Sequence, residues 1–326
     1  MRLLILKLII IFILFILIIE IFFNYNNIDN KIIPENFISN NSDSKFLIIY
    51  VNYSSCGLFA FYKHYLGCSF KAFIMGYTPI IDLISFPNVF NNFNQTILKT
   101  NPYEYYFDQP FNYTLEKVLK SNNFEVYDCL KYGHTYPSYH IINNLITLGF
   151  WQHFAKKYMP VKIEIIKEAI FLKNKLLFNL SNNILGIMTR GTDYLSLKPK
   201  GHPIQPKLGV VFSDIKKLNY KNNYDFYFLA TEDYFIRLKF MKEFGNKIKF
   251  FNQNQNFHFN YLKKQKLCTF KGIIGNFEYM KTYLISIIIL TKCIDIVTSI
   301  TSGTIGIFIL SEGFRNQIVY DLGLYK

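Results

Sequence analysis

Hydrophobic and polar positions divide this chain into three regimes. Leu3 to Phe23 is apolar almost throughout, and its only charges, Lys7 and Glu20, stand near the two ends. Residues 24–45 are rich in Asn, Asp and Ser, with one proline. From Phe46 onward, short apolar runs alternate with segments whose apolar residues recur at helical spacing.

The first regime has the length of a membrane span. As a helix, residues 3–23 reach about 31 Å, the thickness of a bilayer's hydrocarbon core. The apolar side chains outweigh two charges that can snorkel to the interfaces. No small-residue cleavage site follows, and no Ala occurs before position 60, so an uncleaved signal anchor is expected rather than a signal peptide. Arg2 and Lys7 before Glu20 and Asp29 put the N-terminus in the cytosol and the body across the membrane. Residues 24–45 read as a stem.

The body predicts strands and helices in alternation. Phe46–Val51 is a first strand, Asn52–Gly57 a turn, 58–75 a helix and Thr78–Leu83 a second strand. Asn101–Pro110 sets Glu104 and Asp108 among four aromatics, an i, i+4 pair that would share a helical face. Such a face suits a sugar ring; the alternative is a short helix packed onto the domain. A helix over 114–121, a strand over 124–128 and two helices within 138–178, parted near Pro160, follow. In the second of these Ile163, Ile166 and Ile170 form a stripe. A boundary near 180 separates a first α/β domain, 46–180, from a second, Rossmann-like domain, 181–326.

In the second domain strands are expected at 184–189, 225–231, 247–251, 293–298 and 317–321. Helices are expected at 233–244, 276–291 and 303–313, with another carrying Leu208, Val211, Phe212, Ile215 and Leu218 on one face, and a polar loop runs to about 275. The fold class is therefore α/β: two Rossmann-like domains facing a cleft, preceded by a transmembrane helix. The apolar run 284–310 is core rather than a second span, because Lys292, Asp295 and Ser302-Gly303 interrupt it.

Composition changes this picture little. The formal charge is +14, yet no run of five Lys/Arg occurs and Ala appears only five times, a compositional bias that inflates lysine. Nucleic acid is not an expected partner; an anionic small ligand is compatible. The five cysteines are scattered without CxxC spacing, which argues against a disulfide framework or a zinc site. Cys56 and Cys68 would lie roughly 18 Å apart along one helix, too far to bond.

Candidate chemistry gathers at strand ends. Arg190 closes the strand that begins Asn183-Ile-Leu-Gly and can grip a diphosphate with its planar fork, or pair with Asp193 as a surface arginine. Asp193 orients Arg190 or the sugar, acts as a base, or caps a turn. His202, between Gly201 and Pro203, can meet base or phosphate. Thr231, Glu232 and Asp233 mark a second strand end, where an acidic residue is also a routine helix cap. Ser299, Ser302, Gly303 and Thr304 lie in a hydroxyl-rich turn before an apolar helix, a phosphate cradle in form. Gly57, in the first strand–helix turn, is a weaker anion or substrate contact. No Asp-x-Asp occurs to clamp a metal diphosphate, so no metal is expected. GxSxG, HExxH and GxGxxG are absent too.

Met188-Thr-Arg-Gly-Thr-Asp193 resembles the His-x-Arg-x-x-Asp element of the fucosyltransferase-like, two-domain (GT-B) glycosyltransferases. Lys-Gly-His-Pro-Ile-Gln-Pro206, Ala-Thr-Glu-Asp233 and Tyr-Glu-Tyr-Tyr-Phe-Asp-Gln-Pro110 look like further members of that set, in order, and Thr298–Thr304 resembles its donor loop. The resemblance covers about 46–326 and implies that 46–180 is the acceptor side, with Gly57, Glu104 and Asp108, and that 181–326 binds the nucleotide sugar. It implies metal-independent, inverting transfer of fucose from GDP-fucose to a glycan hydroxyl, with no other cofactor. It places Arg190 on the diphosphate and Asp193 on the motif's Asp, and it adds Tyr194 and Gln205 to the donor-binding set. Asp193, Glu232 and Glu104 are the candidate bases. Met188 stands where the family has His. The alternatives are another nucleotide sugar on the same fold, or an inactive carbohydrate- or nucleotide-binding surface protein. A type II topology suits a Golgi or ER lumen and the sequons at Asn52, Asn94 and Asn112; a bacterial enzyme would need its body on the cytosolic face.

Overall fold

The computed structural model describes residues 45–52, 57–85, 101–177, 183–191, 194–195, 198–251 and 277–326. The predicted anchor, the stem up to residue 44, and the boundary at 178–182 lie outside the described residues. Among the described residues no helix is long and apolar enough to cross a membrane. The run 284–310 is buried core, as its interruptions predict.

Two parallel sheets carry the chain. In the first, β1 (Phe46–Tyr50) lies between β2 (Thr78–Ile81) and β3 (Phe124–Asp128). Successive side chains of β1 face opposite ways. Leu47 and Ile49 join α1 in the main core, while Phe46 and Ile48 pack with Ile80, Leu115 and Val118 on the other side. Helix α1 (Leu58–Ile74) buries Leu58, Phe61, Tyr62, Tyr65, Leu66, Cys68, Ala72 and Phe73, the stripe that its helical spacing dictates. It stops where Gly76 turns left-handed (φ 84°), so that the Gly76 N–H reaches Phe73 O and the Tyr77 N–H reaches Ala72 O. That double bond satisfies the end carbonyls and feeds the chain into β2.

Helices α2 (Leu115–Ser121), α3 (Leu145–Tyr158) and α4 (Ile163–Leu177) complete the first half. On α4 the sequence stripe holds only at Ile166, which packs against the core; Ile163 and Ile170 are exposed, and Ile165 and Ala169 are buried instead. Glu104 and Asp108 do not share a helical face, because the helix there is one turn, Tyr103–Tyr106, and Phe107 is already extended. Tyr103, Tyr106 and Phe107 are buried, so core packing governs this segment.

The second sheet holds β4 (Ile184–Met188), β5 (Phe226–Ala230), β6 (Ile248–Lys249), β7 (Asp295–Ser299) and β8 (Asn316–Tyr320) in the order β6-β5-β4-β7-β8, all parallel. Helices α5 (Leu208–Asn222) and α6 (Tyr234–Phe244) cover the face that carries Leu185, Ile187 and Val297. Helices α7 (Phe277–Thr291) and α8 (Ser302–Leu310) share a core with Ile184, Met188 and Ile296. Covered on both faces, the central strands β4 and β5 read as continuous apolar runs.

The two halves meet along α8. A Cβ on Gly306 would lie 2.1 Å from the Phe59 ring, so glycine there lets the first turn of α1 lie against α8. Gln152 of α3 donates to Phe308 O (2.9 Å) and Ser311 O (3.0 Å) at the far end of α8. The main hydrophobic core runs through this seam without a break.

Scattered spacing hid one cross-link. Cys68 of α1 is disulfide-bonded to Cys129, 61 positions away, with Cα atoms 6.1 Å apart. The reading against disulfides weighed only cysteines near in sequence; strand pairing of β1 with β3 brings these two together.

Candidate functional site

Strand order reverses between β4 and β7, and their crossover helices lie on opposite faces of the sheet. Such a switch point leaves a crevice at the carboxyl ends of the strands. Here it is a cavity of about 320 Å³. Its walls include Met188, Thr189 and Arg190 after β4, Gln205 and Leu208 at the start of α5, and Ser299 at the end of β7.

Arg190 is fixed from two sides. Its Nε lies 3.3 Å from Glu232 Oε1, and its guanidinium lies over the Tyr194 ring at 4.8 Å. The same Glu232 oxygen accepts the Gly191 N–H at 3.1 Å. Parallel pairing of β4 with β5 sets Met188 beside Ala230, which brings the two strand ends into contact. Among the described residues the carboxylate beside the arginine is that of Glu232; Asp193, with Thr192, lies outside the described residues.

Asp233 is a helix cap. Its carboxylate accepts the Phe235 N–H (2.8 Å) and the Ile236 N–H (3.1 Å) at the start of α6, and Thr231 Oγ1 accepts the Asp233 N–H (3.2 Å). It also presses on the motif loop: a Cβ at Gly191 would lie 2.6 Å from that of Asp233. Only glycine fits between β4 and this cap.

The turn after β7 is closed by its own hydroxyls. Thr301 caps α8 by accepting the Thr304 N–H at 3.1 Å, and Thr304 Oγ1 lies 3.1 Å from Thr298 Oγ1. Ser299 is different. It lines the cavity and donates to Gln205 Oε1 at 2.5 Å, while Gln205 Nε2 donates to Pro203 O at 3.0 Å. One buried amide thus ties the loop before α5 to the end of β7. Ser302 and Gly303 form the first turn of α8, and Gly303 packs against Tyr283 and the Met188 thioether. Where the family has His, this chain buries a methionine under that turn.

His202 is exposed, outside the cavity wall, with Nδ1 3.3 Å from Lys200 O and its ring edge-on to Tyr194. Its loop is strapped to the C-terminal segment by Gly201 N–H to Tyr325 O (2.8 Å), Tyr325 N–H to His202 O (2.9 Å) and Ile204 N–H to Gly323 O (2.9 Å). The acceptor-side residues lie in the first half, and none lines the cavity. Gly57 caps α1 with its carbonyl, 2.9 Å from the Ala60 nitrogen. Glu104 Oε1 accepts from Gln109 Nε2 and the Leu115 N–H, both at 3.1 Å. Asp108 pairs with Lys162 at 2.6 Å.

Three wall residues escape sequence reading. The Thr189 hydroxyl is buried at the cavity and, among the described residues, has no hydrogen-bond partner. Its place just before Arg190 was the available signal. Lys239 lines the wall one turn after Ile236, a legible helical offset. Tyr320, at the end of β8, donates to Asp214 at 2.9 Å, and burial together with that carboxylate raises its phenol above the usual range. Nothing in its local sequence marks it. With Arg190, Lys207 and Lys239 around the opening, the wall suits an anionic ligand.

Neither a family model nor a curated protein matches the chain. Among solved structures it is similar to NodZ α-1,6-fucosyltransferase soaked with GDP-fucose, at 12% identity and a TM-score of 0.49, over 86% of this chain and 96% of that one. It is similar to POFUT1 in complex with GDP-fucose at 10% identity and a TM-score of 0.49, over 86% and 99%. A third likeness is to fucosyltransferase NodZ from Bradyrhizobium, at 11% identity and a TM-score of 0.43, over 78% and 88%.

Proposed function

We propose that the chain is a glycosyltransferase that moves fucose from GDP-fucose to a glycan hydroxyl, with inversion and without a metal. The observation that carries this reading is Arg190, fixed by Glu232 and Tyr194 at the wall of the switch-point cavity, with the buried Thr189 hydroxyl beside it. In the reaction the acceptor oxygen attacks the anomeric carbon and the bond to the diphosphate breaks. The acceptor proton passes to a carboxylate, for which Asp193 is the first candidate. Glu232 is engaged with Arg190 and Gly191, and Glu104 with Gln109 and Leu115, which suits both to positioning. Arg190 meets the charge that develops on the departing GDP, a stabilisation that is strongest in a water-poor cavity. Residues 3–23 would anchor the enzyme, with its body in the Golgi or ER lumen of a eukaryote or on the cytosolic face of a bacterium.

Calorimetric titration with GDP, GDP-fucose and UDP-sugars, paired with a transfer assay, tests the proposal. GDP binding, fucose transfer and loss of transfer in folded Arg190→Ala are expected. Transfer unaffected by Arg190→Ala overturns the mechanism. A preference for UDP-sugars assigns another donor, and nucleotide binding without transfer assigns a binding protein.

A further inference from the structure

Remote from the cavity, on the first sheet, two sulfurs and two imidazoles converge. His64 and Cys68 stand one turn apart on α1, so both project from one face. Cys129 opens the short helix Cys129–Tyr132, which Asp128 caps, and after Gly133 (φ 65°) the chain returns with His134. The Sγ atoms of Cys68 and Cys129 and a ring nitrogen of His134 all lie within 4.8 Å of one another. His64 Nδ1 is 2.8 Å from His134 Nε2.

The cluster is built with more care than a disulfide needs. The other ring nitrogen of His134, Nδ1, lies 2.9 Å from the Cys129 carbonyl. A carbonyl can only accept, so Nδ1 carries the proton and Nε2 turns its lone pair to the cluster. A backbone carbonyl that fixes the tautomer in this way is the usual outer support of a metal-binding histidine. Gly67 makes room, since a Cβ there would lie 2.1 Å from Thr135 O and 2.9 Å from His134 Cδ2. Lys71 Nζ holds the returning loop by Tyr132 O (3.2 Å) and Gly133 O (2.9 Å), and Tyr127 OH donates to Gly133 O at 3.0 Å. The Tyr136 ring covers both imidazoles, with centroids 4.7 Å from His64 and 5.3 Å from His134.

We propose that His64, Cys68, Cys129 and His134 form a site for one zinc-class divalent cation in the reduced chain, and that the Cys68–Cys129 disulfide is its oxidised, metal-free form. Two thiolates and two neutral imidazoles are the donor set that a borderline-soft, tetrahedral ion prefers. Bonds of about 2.3 Å to sulfur and about 2.0 Å to nitrogen put neighbouring donors roughly 3.5 Å apart. The two sulfurs part once reduced, His134 closes on them from within 4.8 Å, and His64 Nδ1 moves out from 2.8 Å as its proton passes to its own Nε2. Conversion between the forms balances. Two equivalents of a thiol, or one of a phosphine, supply two electrons that break the S–S bond, and two protons complete the thiols. Binding of the cation then releases those two protons. Either form ties α1 to the segment after β3; the site is structural and takes no part in the proposed transfer.

The test uses the full chain, reduced with a phosphine, freed of metal with a chelator, and titrated with Co²⁺. One equivalent should produce thiolate-to-cobalt charge-transfer and tetrahedral d–d absorption, and Zn²⁺ should displace it. The oxidised chain should give neither band. Cys68→Ser and Cys129→Ser should abolish the bands, and His64→Ala and His134→Ala should weaken Zn²⁺ binding at least tenfold. Circular dichroism checks that each variant is folded; where a serine variant is not, a Zn²⁺-dependent rise in the Tm of the reduced wild type supports the site and an unchanged Tm overturns it. Absence of the bands in folded, reduced wild type overturns the proposal. So does wild-type cobalt binding by a folded Cys68→Ser chain or by the oxidised chain.

Discussion

Glu232 Oε1 lies 3.3 Å from Arg190 Nε, the inner nitrogen of the guanidinium. The ion pair joins the ends of two adjacent strands, so it sets the angle at which the arginine enters the cavity. A lysine would keep the charge and lose both the planar fork and the stacking over Tyr194. Arg190→Lys should lower kcat for the proposed transfer by about 10²–10³-fold. Glu232→Ala, which misplaces the arginine, should cost up to about 10²-fold. Steady-state kinetics with the chain's fold verified provide the check.

Gly191 and Asp233 compete for one volume. Gly191→Ala should destabilise the chain by about 1–3 kcal/mol through overpacking. Asp233→Gly, which loses the cap but makes room, should cost only a few tenths of a kcal/mol to about 1 kcal/mol. The double variant should be more stable than the sum of the two losses allows, because the clash is gone. Denaturant unfolding of the four chains measures this coupling; strict additivity would contradict the contact.

Asp295 is fully buried at the start of β7 and accepts from Tyr224, Arg315 and Asn316. Burial pushes its pKa up, but the hydrogen bonds from Arg315, Tyr224 and Asn316 outweigh that and hold it below the usual 3.8. A carboxylate lowered on folding contributes stability above its unfolded value and loses it as pH falls toward the folded value. The contribution should therefore be intact above pH 3.8 and fade below it. Arg315→Leu should destabilise the chain at neutral pH by leaving the buried Asp295 charge underpaired. Asp295→Asn should flatten the acid limb of the stability profile, as measured by denaturant midpoints against pH.

Phe59 fills the seam against Gly306 and stands edge-on to Tyr283 with centroids 6.0 Å apart. Truncation to alanine should destabilise the chain by about 3–5 kcal/mol. Because the same ring joins the two halves, Phe59→Ala should also broaden the thermal transition or split it, which calorimetry would register.

The alternation of apolar runs and helical stripes was enough to read the second sheet, since strands buried on both faces leave contiguous signals such as Ile184–Met188 and Phe226–Ala230. Arg190 and Glu232 were legible as strand ends; their pairing was not, because it depends on β4 lying beside β5. The stripe on α4 was misread for a physical reason. An isoleucine-rich helix offers two apolar faces, and only the tertiary contact chooses Ile165 and Ala169. Likewise, Glu104 and Asp108 kept helical spacing, but the chain leaves the helix at Phe107 once its aromatics reach the core. The Cys68–Cys129 pair was invisible because it joins helix α1 to the short helix after β3, which the pairing of β1 with β3 brings together, and no local spacing encodes that.

The strand order also bears on biosynthesis. β4 sits at the centre of its sheet, paired on one side with β5 and on the other with β7, which is made much later. A nascent chain that has passed β6 can cover one flank of β4 and must hold the other open until α7, β7 and α8 emerge. Non-local parallel pairing of this kind is slow, and the uncovered edge is exposed to misassembly. The cavity, walled by both β4 and β7, would therefore arise in one late step: a ribosome-bound intermediate would carry Arg190 in its motif and have no pocket for it to serve.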